Sequence, residues 1–168
     1  MAAEATQTKI TTVKPLVGRS EKISFPQFKL VNVDAKIDTG AYGSSLHCSL
    51  IDVVTENGKK MLKVIPLRYM DKPYRGDAFL FPFSEKKKIK NSSGKVEERY
   101  VIKTTVRIFG KDVLTEFSLT DRTNMKFSIL LGRKFLKRNF VVDVSLKDRS
   151  AKFEARAAKL AAQTDIPK

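Results

Sequence analysis

The pattern that most constrains the fold is a succession of short segments in which apolar and polar residues alternate, with Gly, Pro and Asn between them. Alternation with a period of two residues predicts strands that bury one face. Asn57-Gly58 separates two such segments and predicts a tight hairpin. Only residues 151–163 are rich in good helix formers. The sequence therefore predicts a mainly β domain with a helix at its C-terminal end.

The length of 168 residues suits one domain with a buried core. Residues 1–13 are small and polar, and we expect this N-terminal segment to be flexible. Residues 14–150 are expected to form the domain, because no linker or internal repeat interrupts them. Residues 151–168 are expected to form a basic C-terminal helix or tail.

The chain is strongly basic, with 33 Lys and Arg against 18 Asp and Glu and a net charge of +15. Such a charge predicts an acidic partner: nucleic acid, an anionic membrane or an acidic polypeptide. Cys48 is the single cysteine, which excludes a disulfide within the chain and fits a reducing compartment. The sequence shows neither a signal peptide nor the roughly 20 consecutive apolar residues of a membrane helix. We therefore expect a cytoplasmic protein without membrane contact.

The triplet Asp38-Thr39-Gly40 directly follows a predicted strand at residues 33–37. It places a carboxylate in a loop at a strand end, where a rigid element can hold a catalytic group. The alternative is an Asx turn, in which Asp38 only accepts backbone hydrogen bonds. Much later, the apolar segment Ile129-Leu130-Leu131 ends at Gly132-Arg133, which predicts another strand followed by a short helix.

These two elements, in this order, resemble those of retroviral-type aspartic proteases, in which an Asp-Thr-Gly loop meets a later aliphatic strand that ends in Gly-Arg. The chain is more closely similar to a bacterial retropepsin-like family, the RimB-like peptidases. Members are encoded beside the ATP-grasp glutamate ligase RimK and also carry the label ATP-dependent zinc protease. The similarity extends from about Val17 to Val144. The matching segments are Ala35–Ala41, Ser45–His47, Glu98–Ile102, Leu119–Arg122 and Leu130–Arg133.

The resemblance implies a retropepsin-like closed β-barrel with a flap hairpin and a short helix after the Gly-Arg strand. By position, the flap is expected between Pro66 and Glu98. It also implies an aspartic peptidase with Asp38 as the catalytic residue and without a cofactor.

Hydrolysis of a peptide by carboxylates needs two of them sharing one proton. The sequence contains a single Asp-Thr-Gly, so the family's chemistry implies a homodimer in which Asp38 of each subunit meets on the two-fold axis. Thr39 would link the two loops, while Gly40 and Gly132 would support their close approach. Ala41 has no side-chain donor that could lower the pKa of Asp38, which predicts activity extending toward neutral pH.

Tyr42 departs from the family pattern, because many bacterial relatives have Arg at this position and retroviral enzymes have Asp. Arg99, Arg122 and Arg133 lie in matching segments and, with Tyr42, are candidates for substrate binding. The alternative for each arginine is an internal salt bridge. The association of the family with a glutamate ligase implies an acidic polypeptide substrate, such as a ribosomal protein carrying a glutamate tail. The excess of Lys and Arg suits such a substrate.

Two other functions are compatible with the sequence. The family label would make the chain a metal-dependent peptidase, but its one His and one Cys are the neighbours His47-Cys48. Neighbours on a strand point to opposite faces, so we expect no metal site. A non-catalytic basic module that binds RNA or the ribosome is compatible with the charge, although no RNA-binding motif is recognisable.

Overall fold

The computed structural model describes residues 12–164, which form twelve strands and two helices. The prediction of a mainly β fold with a C-terminal helix is confirmed. Residues 1–11 of the expected flexible N-terminus and residues 165–168 of the expected tail lie outside the described residues. The elements are β1 (Leu16–Val17), β2 (Ser20–Phe25), β3 (Leu30–Ile37), β4 (Ser44–Glu56), β5 (Lys59–Pro66), β6 (Phe79–Pro82), β7 (Lys87–Lys90), β8 (Val96–Arg99), β9 (Val101–Ile108), β10 (Lys111–Thr120), β11 (Ile129–Leu131), α1 (Arg133–Leu136), β12 (Val141–Val142) and α2 (Arg149–Thr164).

Six strands close into a barrel, which confirms the predicted architecture. Their order is β10-β9-β2-β3-β11-β4, and β4 returns to pair with β10. The pairings of β3 with β11 and of β4 with β10 are parallel, and the others in the ring are antiparallel. The closed ring leaves none of these six strands with an open edge. Strands β5 and β6 continue the sheet outward from β4.

The core lies inside the barrel, because alternate residues of the strands point inward. Buried and less buried positions alternate along β2 and β9, as the sequence pattern predicts. The ring of Phe25 lies 5.4 Å from that of Phe28 and 5.7 Å from that of Phe117, between centroids. Strand β11 is buried on both faces, which explains why its three residues are all apolar.

The hairpin formed by β7 and β8 lies where the flap was expected and extends one residue beyond the predicted boundary, to Arg99. Asn91 fixes its turn, since Oδ1 accepts hydrogen bonds from the N–H of Ser93 at 3.1 Å and of Lys95 at 2.9 Å. Gly94 follows with a φ of 84°, a conformation that glycine adopts without strain. The exposed side chains of the hairpin are strongly basic and include Lys87, Lys88, Lys90 and Lys95.

Helix α2 contacts the barrel mainly through its first turns. Glu21, which is fully buried, accepts hydrogen bonds from the N–H groups of Ser150 at 2.8 Å and Gly18 at 2.7 Å. A carboxylate at this place also interacts favourably with the start of the helix. All residues from Ala155 to Thr164 are exposed. No helix within residues 12–164 is both long and apolar enough to cross a membrane.

Candidate active site

Asp38 lies directly after β3, at the end of the parallel pairing between β3 and β11. Its backbone N–H donates a hydrogen bond of 2.9 Å to the carbonyl of Leu131, the last residue of β11. The side chain is 22% exposed. A carboxylate therefore projects from the end of a central barrel strand, held by a neighbouring strand that is fully buried.

Three donors hold the Asp38 carboxylate. Oδ1 accepts hydrogen bonds from the N–H groups of Gly40 at 2.9 Å and Ala41 at 3.2 Å, and Oδ2 accepts one of 3.1 Å from Lys36 Nζ. The Asx turn that the sequence allowed as an alternative is thus present. It does not compete with a catalytic role, because it fixes the carboxylate while leaving part of it accessible to solvent.

The pKa of Asp38 is held below its ordinary value in the single chain. Partial burial raises it, but the hydrogen bonds and charge of Lys36 and the backbone donors of Gly40 and Ala41 outweigh that effect. Ala41 therefore does act on the carboxylate, through its backbone rather than its side chain. Lys36 and the Ala41 N–H both lower the pKa of Asp38 in the single chain, and activity extending toward neutral pH stays a prediction.

Gly132 brings β11 into direct contact with the Asp38 loop. A Cβ atom at Gly132 would lie 2.2 Å from the carbonyl oxygen of Gly43 and 2.9 Å from that of Ala41, closer than van der Waals contact allows. Its N–H donates a hydrogen bond of 3.2 Å to Ser44 Oγ. The next N–H, that of Arg133, donates one of 2.8 Å to the carbonyl of Ala41. Only glycine permits this packing of two backbones.

The side chain of Arg133 contacts the loop rather than a carboxylate. Its Nη1 donates a hydrogen bond of 3.1 Å to the carbonyl of Thr39. Its guanidinium lies 5.9 Å from the ring centroid of Tyr42, and Lys134 Nζ lies at the same distance. Tyr42 is 68% exposed. The residue that departs from the family pattern thus provides a cation–π contact for Arg133.

Arg99 is connected to the same region through the hydroxyl of Ser118 and the backbone of Ser44. Its Nη1 lies 3.5 Å from Ser118 Oγ, which donates a hydrogen bond of 3.4 Å to the carbonyl of Ser44, the residue that also contacts Gly132. Its Nη2 lies 2.8 Å from Glu97 in the flap hairpin. The internal salt bridge considered for Arg99 is therefore present.

Arg122 is buried beside His47. Its N–H donates a hydrogen bond of 2.8 Å to His47 Nδ1, and its Nε donates one of 2.9 Å to the carbonyl of Phe127. Burial lowers the pKa of His47, with smaller opposing contributions from Asp121 and Asp71. Because Nδ1 accepts a hydrogen bond, the imidazole is neutral and its proton resides on Nε2. His47 thus positions the backbone at Arg122.

Cys48 is buried on the neighbouring position of β4, where burial raises the pKa of the thiol to about 12. It stays protonated and packs in the core. Within residues 12–164, no three His, Cys, Asp or Glu side chains come together as metal ligands.

Three supporting residues were missed by the sequence reasoning. Lys36 is two positions before Asp38, on the same side of the strand, so the spacing could have indicated the contact. Arg68 and Asp71 are joined by a salt bridge of 2.7 Å, and Arg68 Nη1 also binds the carbonyls of Thr123 and Met125. Asp71 in turn accepts a hydrogen bond from Ser128. Nothing in the sequence indicates these contacts between distant loops.

A closed barrel in which an Asp-Thr-Gly loop packs against a Gly-Arg strand defines a retropepsin-like fold. Residues 16–152 match the family model described as RimB-like, retropepsin-like aspartic endopeptidase RimB. The chain therefore belongs to the RimB-like family.

The chain is also similar to part of several curated relatives, and it shares its fold with a solved structure. A probable alpha-L-glutamate ligase from Desulfotalea psychrophila is 32% identical over 136 residues, which are 80% of this chain and 29% of the relative. One from Shewanella halifaxensis is 29% identical over 135 residues, 79% of this chain and 29% of the relative. This chain thus spans less than a third of the length of these relatives. The crystal structure of a Legionella pneumophila protein of unknown function has a TM-score of 0.62 and 23% identity, covering 81% of this chain and 98% of that one. This last likeness shows the fold alone.

Proposed function

We propose that this chain is an aspartic peptidase whose active unit is a homodimer, with the Asp38 carboxylates of the two subunits forming the catalytic dyad. The observation that carries the proposal is the Asp38 loop, fixed to β11 by the backbone contact at Gly132. A single Asp-Thr-Gly in the sequence supplies half of a dyad, and a second copy of the chain supplies the other half.

The surroundings of the loop suit a contact between two copies. Thr39 and Tyr42 are exposed. Beside them lies a groove of about 700 Å³, which α1 and Phe140 also line. In a two-fold dimer the same surface is used by both subunits, so this exposed surface beside the loop would contact its own copy.

The dyad would work by sharing one proton. Two carboxylates about 3 Å apart cannot both ionise, so one stays protonated and polarises the scissile carbonyl while the other activates water. Lys36 favours the ionised form of Asp38 and the partner's Asp38 favours the protonated form. The opposition of these two effects keeps the pair singly protonated over a range of pH.

An acidic, glutamate-rich tail is the substrate that these features support best. The flap hairpin carries exposed lysines, and the chain has a net charge of +15. The relatives named probable alpha-L-glutamate ligases contain a segment similar to this chain. Their name describes the addition of glutamate, which suggests a glutamate-containing substrate for the similar segment. A ribosomal protein that carries such a tail is the substrate we propose.

Cleavage of matched tails tests this proposal. We expect the purified chain to cleave a peptide ending in several glutamates at least about tenfold faster than the same peptide with glutamines, because each tail carboxylate can pair with a cation. The activity should persist in EDTA. If neither peptide is cleaved, the peptidase proposal is contradicted. If both are cleaved equally fast, the proposed specificity for glutamate is contradicted.

The charge of Lys36 should set the acid side of the pH–rate profile. Lys36→Met removes a hydrogen bond and a cation that lower the pKa of Asp38, so this pKa should rise. The carboxylate then becomes protonated at a higher pH than in the wild type. As the pH is lowered, kcat/KM should therefore begin to fall at a higher pH than it does in the wild type. As a control, Lys22→Met removes a lysine that pairs with Asp34 elsewhere on the sheet. If the Lys36 variant and the wild type have superimposable profiles, Lys36 does not tune the dyad.

A further inference from the structure

Arg122 has no carboxylate partner, like Arg133, but Arg122 is buried whereas Arg133 is exposed. Arg122 is 8% exposed, yet within residues 12–164 no Asp or Glu oxygen lies within 4 Å of its guanidinium. Nε is bound to the carbonyl of Phe127. No fully buried polar side-chain atom in the described part of the chain lacks a partner, so the two remaining amino groups reach solvent. The side chain of Arg122 is thus largely buried, yet its two amino groups are without a hydrogen-bond partner among residues 12–164.

The surroundings of Arg122 make this arrangement electrostatically unfavourable in the unbound chain. Burial lowers its pKa, as do the neighbouring guanidinium groups of Arg99 and Arg68, while the Asp38 carboxylate acts in the opposite direction. A buried cation normally has a paired anion, because its lost hydration is otherwise not replaced. Strand β4 connects Arg122 to the Asp38 loop, because His47, which binds the N–H of Arg122, follows Ser44, which contacts Gly132, by three residues on this strand.

The position of Arg122 is fixed by other side chains, so the free amino groups are not a consequence of a mobile loop. His47 accepts the hydrogen bond of its N–H at 2.8 Å. Arg68 Nη1 holds the carbonyls of Thr123 at 3.2 Å and Met125 at 2.9 Å, immediately after it. Such support is what a binding group needs to act without a loss of conformational entropy.

The three arginines that the sequence suggested for substrate binding are therefore not equivalent. Arg99 is already paired with Glu97, and Arg133 contacts Thr39 and Tyr42. We propose that Arg122 is the specificity residue of the active site and binds the side-chain carboxylate of a substrate glutamate close to the scissile bond. The assignment rests on the proposed peptidase function for its biological meaning. A planar guanidinium with two free amino groups suits a carboxylate, which can accept two parallel hydrogen bonds.

Binding of short peptides tests this inference independently of cleavage. In an Asp38→Asn background, which leaves the peptide intact, we measure the affinity for tetraglutamate and tetraglutamine by calorimetry. Arg122→Gln should weaken tetraglutamate binding by about tenfold or more, as expected for loss of a charged hydrogen bond. It should leave tetraglutamine binding unchanged. Arg122→Lys keeps the charge but loses the planar fork, so it should restore part of the affinity for tetraglutamate.

Arg107→Gln is the matched control, because it removes one arginine that pairs with Asp112 on the β9–β10 hairpin. It should change the affinity for tetraglutamate by less than about twofold. Unchanged tetraglutamate affinity in both Arg122 variants, equal losses for both peptides, or no tetraglutamate binding by the parent would each overturn the inference. Binding that depends on Arg122 in a protein whose wild type cleaves no tail would instead contradict the proposed function and leave the carboxylate site standing.

Discussion

Replacing Asp38 with Asn is expected to reduce cleavage of a glutamate-tailed peptide by about 10³-fold or more, the range of a lost general acid–base group. An amide can neither take the proton of the attacking water nor share one with the opposite carboxylate. The loss should appear in kcat, since the amide still fits the space that the carboxylate occupies.

The fold should survive this change, which separates chemistry from stability. The amide oxygen of Asn can still accept the hydrogen bonds of Gly40 and Ala41 that Oδ1 accepts now. Lys36 loses its ion pair, but its side chain is 48% exposed, so the free energy of unfolding should fall by about 1 kcal/mol at most. Urea unfolding measures this difference. A stable Asp38→Asn variant that cleaves at the wild-type rate would exclude the aspartic mechanism.

Gly132→Ala is the substitution with the second largest expected effect. The new methyl group would lie 2.2 Å from the carbonyl oxygen of Gly43 and 2.7 Å from its carbon, and both contacts are with backbone that cannot rotate away. The strand and the Asp38 loop must separate, which should cost about 3 kcal/mol of unfolding free energy. Activity should be lost as well, because the loop would no longer hold Asp38 against Leu131.

Gly43→Ala is the matched control on the other side of the same contact. No atom lies within 4 Å of the position that its Cβ would occupy, so the change should alter the unfolding free energy by less than about 0.5 kcal/mol. Urea unfolding and cleavage assays on both variants make the comparison. Equal stability and activity of the Gly132 and Gly43 variants would show that close backbone packing at Gly132 does not support the site.

Local patterns predicted the strands of this fold better than they predicted the pairings. The predicted strand at residues 33–37 lies within β3, and Asn57-Gly58 correctly indicated the turn between β4 and β5. The parallel pairing of β4 with β10 joins residues such as Leu46 and Leu119, and it closes the barrel. No local pattern specifies a contact over such a distance. The closed barrel was expected only because the chain resembles a known family.

In the candidate site, too, the motifs could be predicted from the sequence but the contacts of the side chains could not. Asp38 and Gly132 belong to short motifs, so the sequence could indicate that their segments meet. Whether each arginine has a partner depends on the residues around it. Arg99 forms a salt bridge with Glu97, whereas Arg122 keeps two amino groups without a hydrogen-bond partner in the described part of the chain. Burial and partners of this kind arise from the folded chain, and residue types in a motif do not determine them.

A mixing experiment tests the shared dyad most directly. Wild-type and Asp38→Asn chains are combined in equal amounts under conditions where subunits exchange, and cleavage of a glutamate-tailed peptide is compared with the same total amount of wild type. If Asp38 of each subunit is needed in one site, only dimers of two wild-type chains are active, and activity should fall to about one quarter. Activity of about one half would mean that each chain works with its own Asp38, and it would contradict the shared dyad.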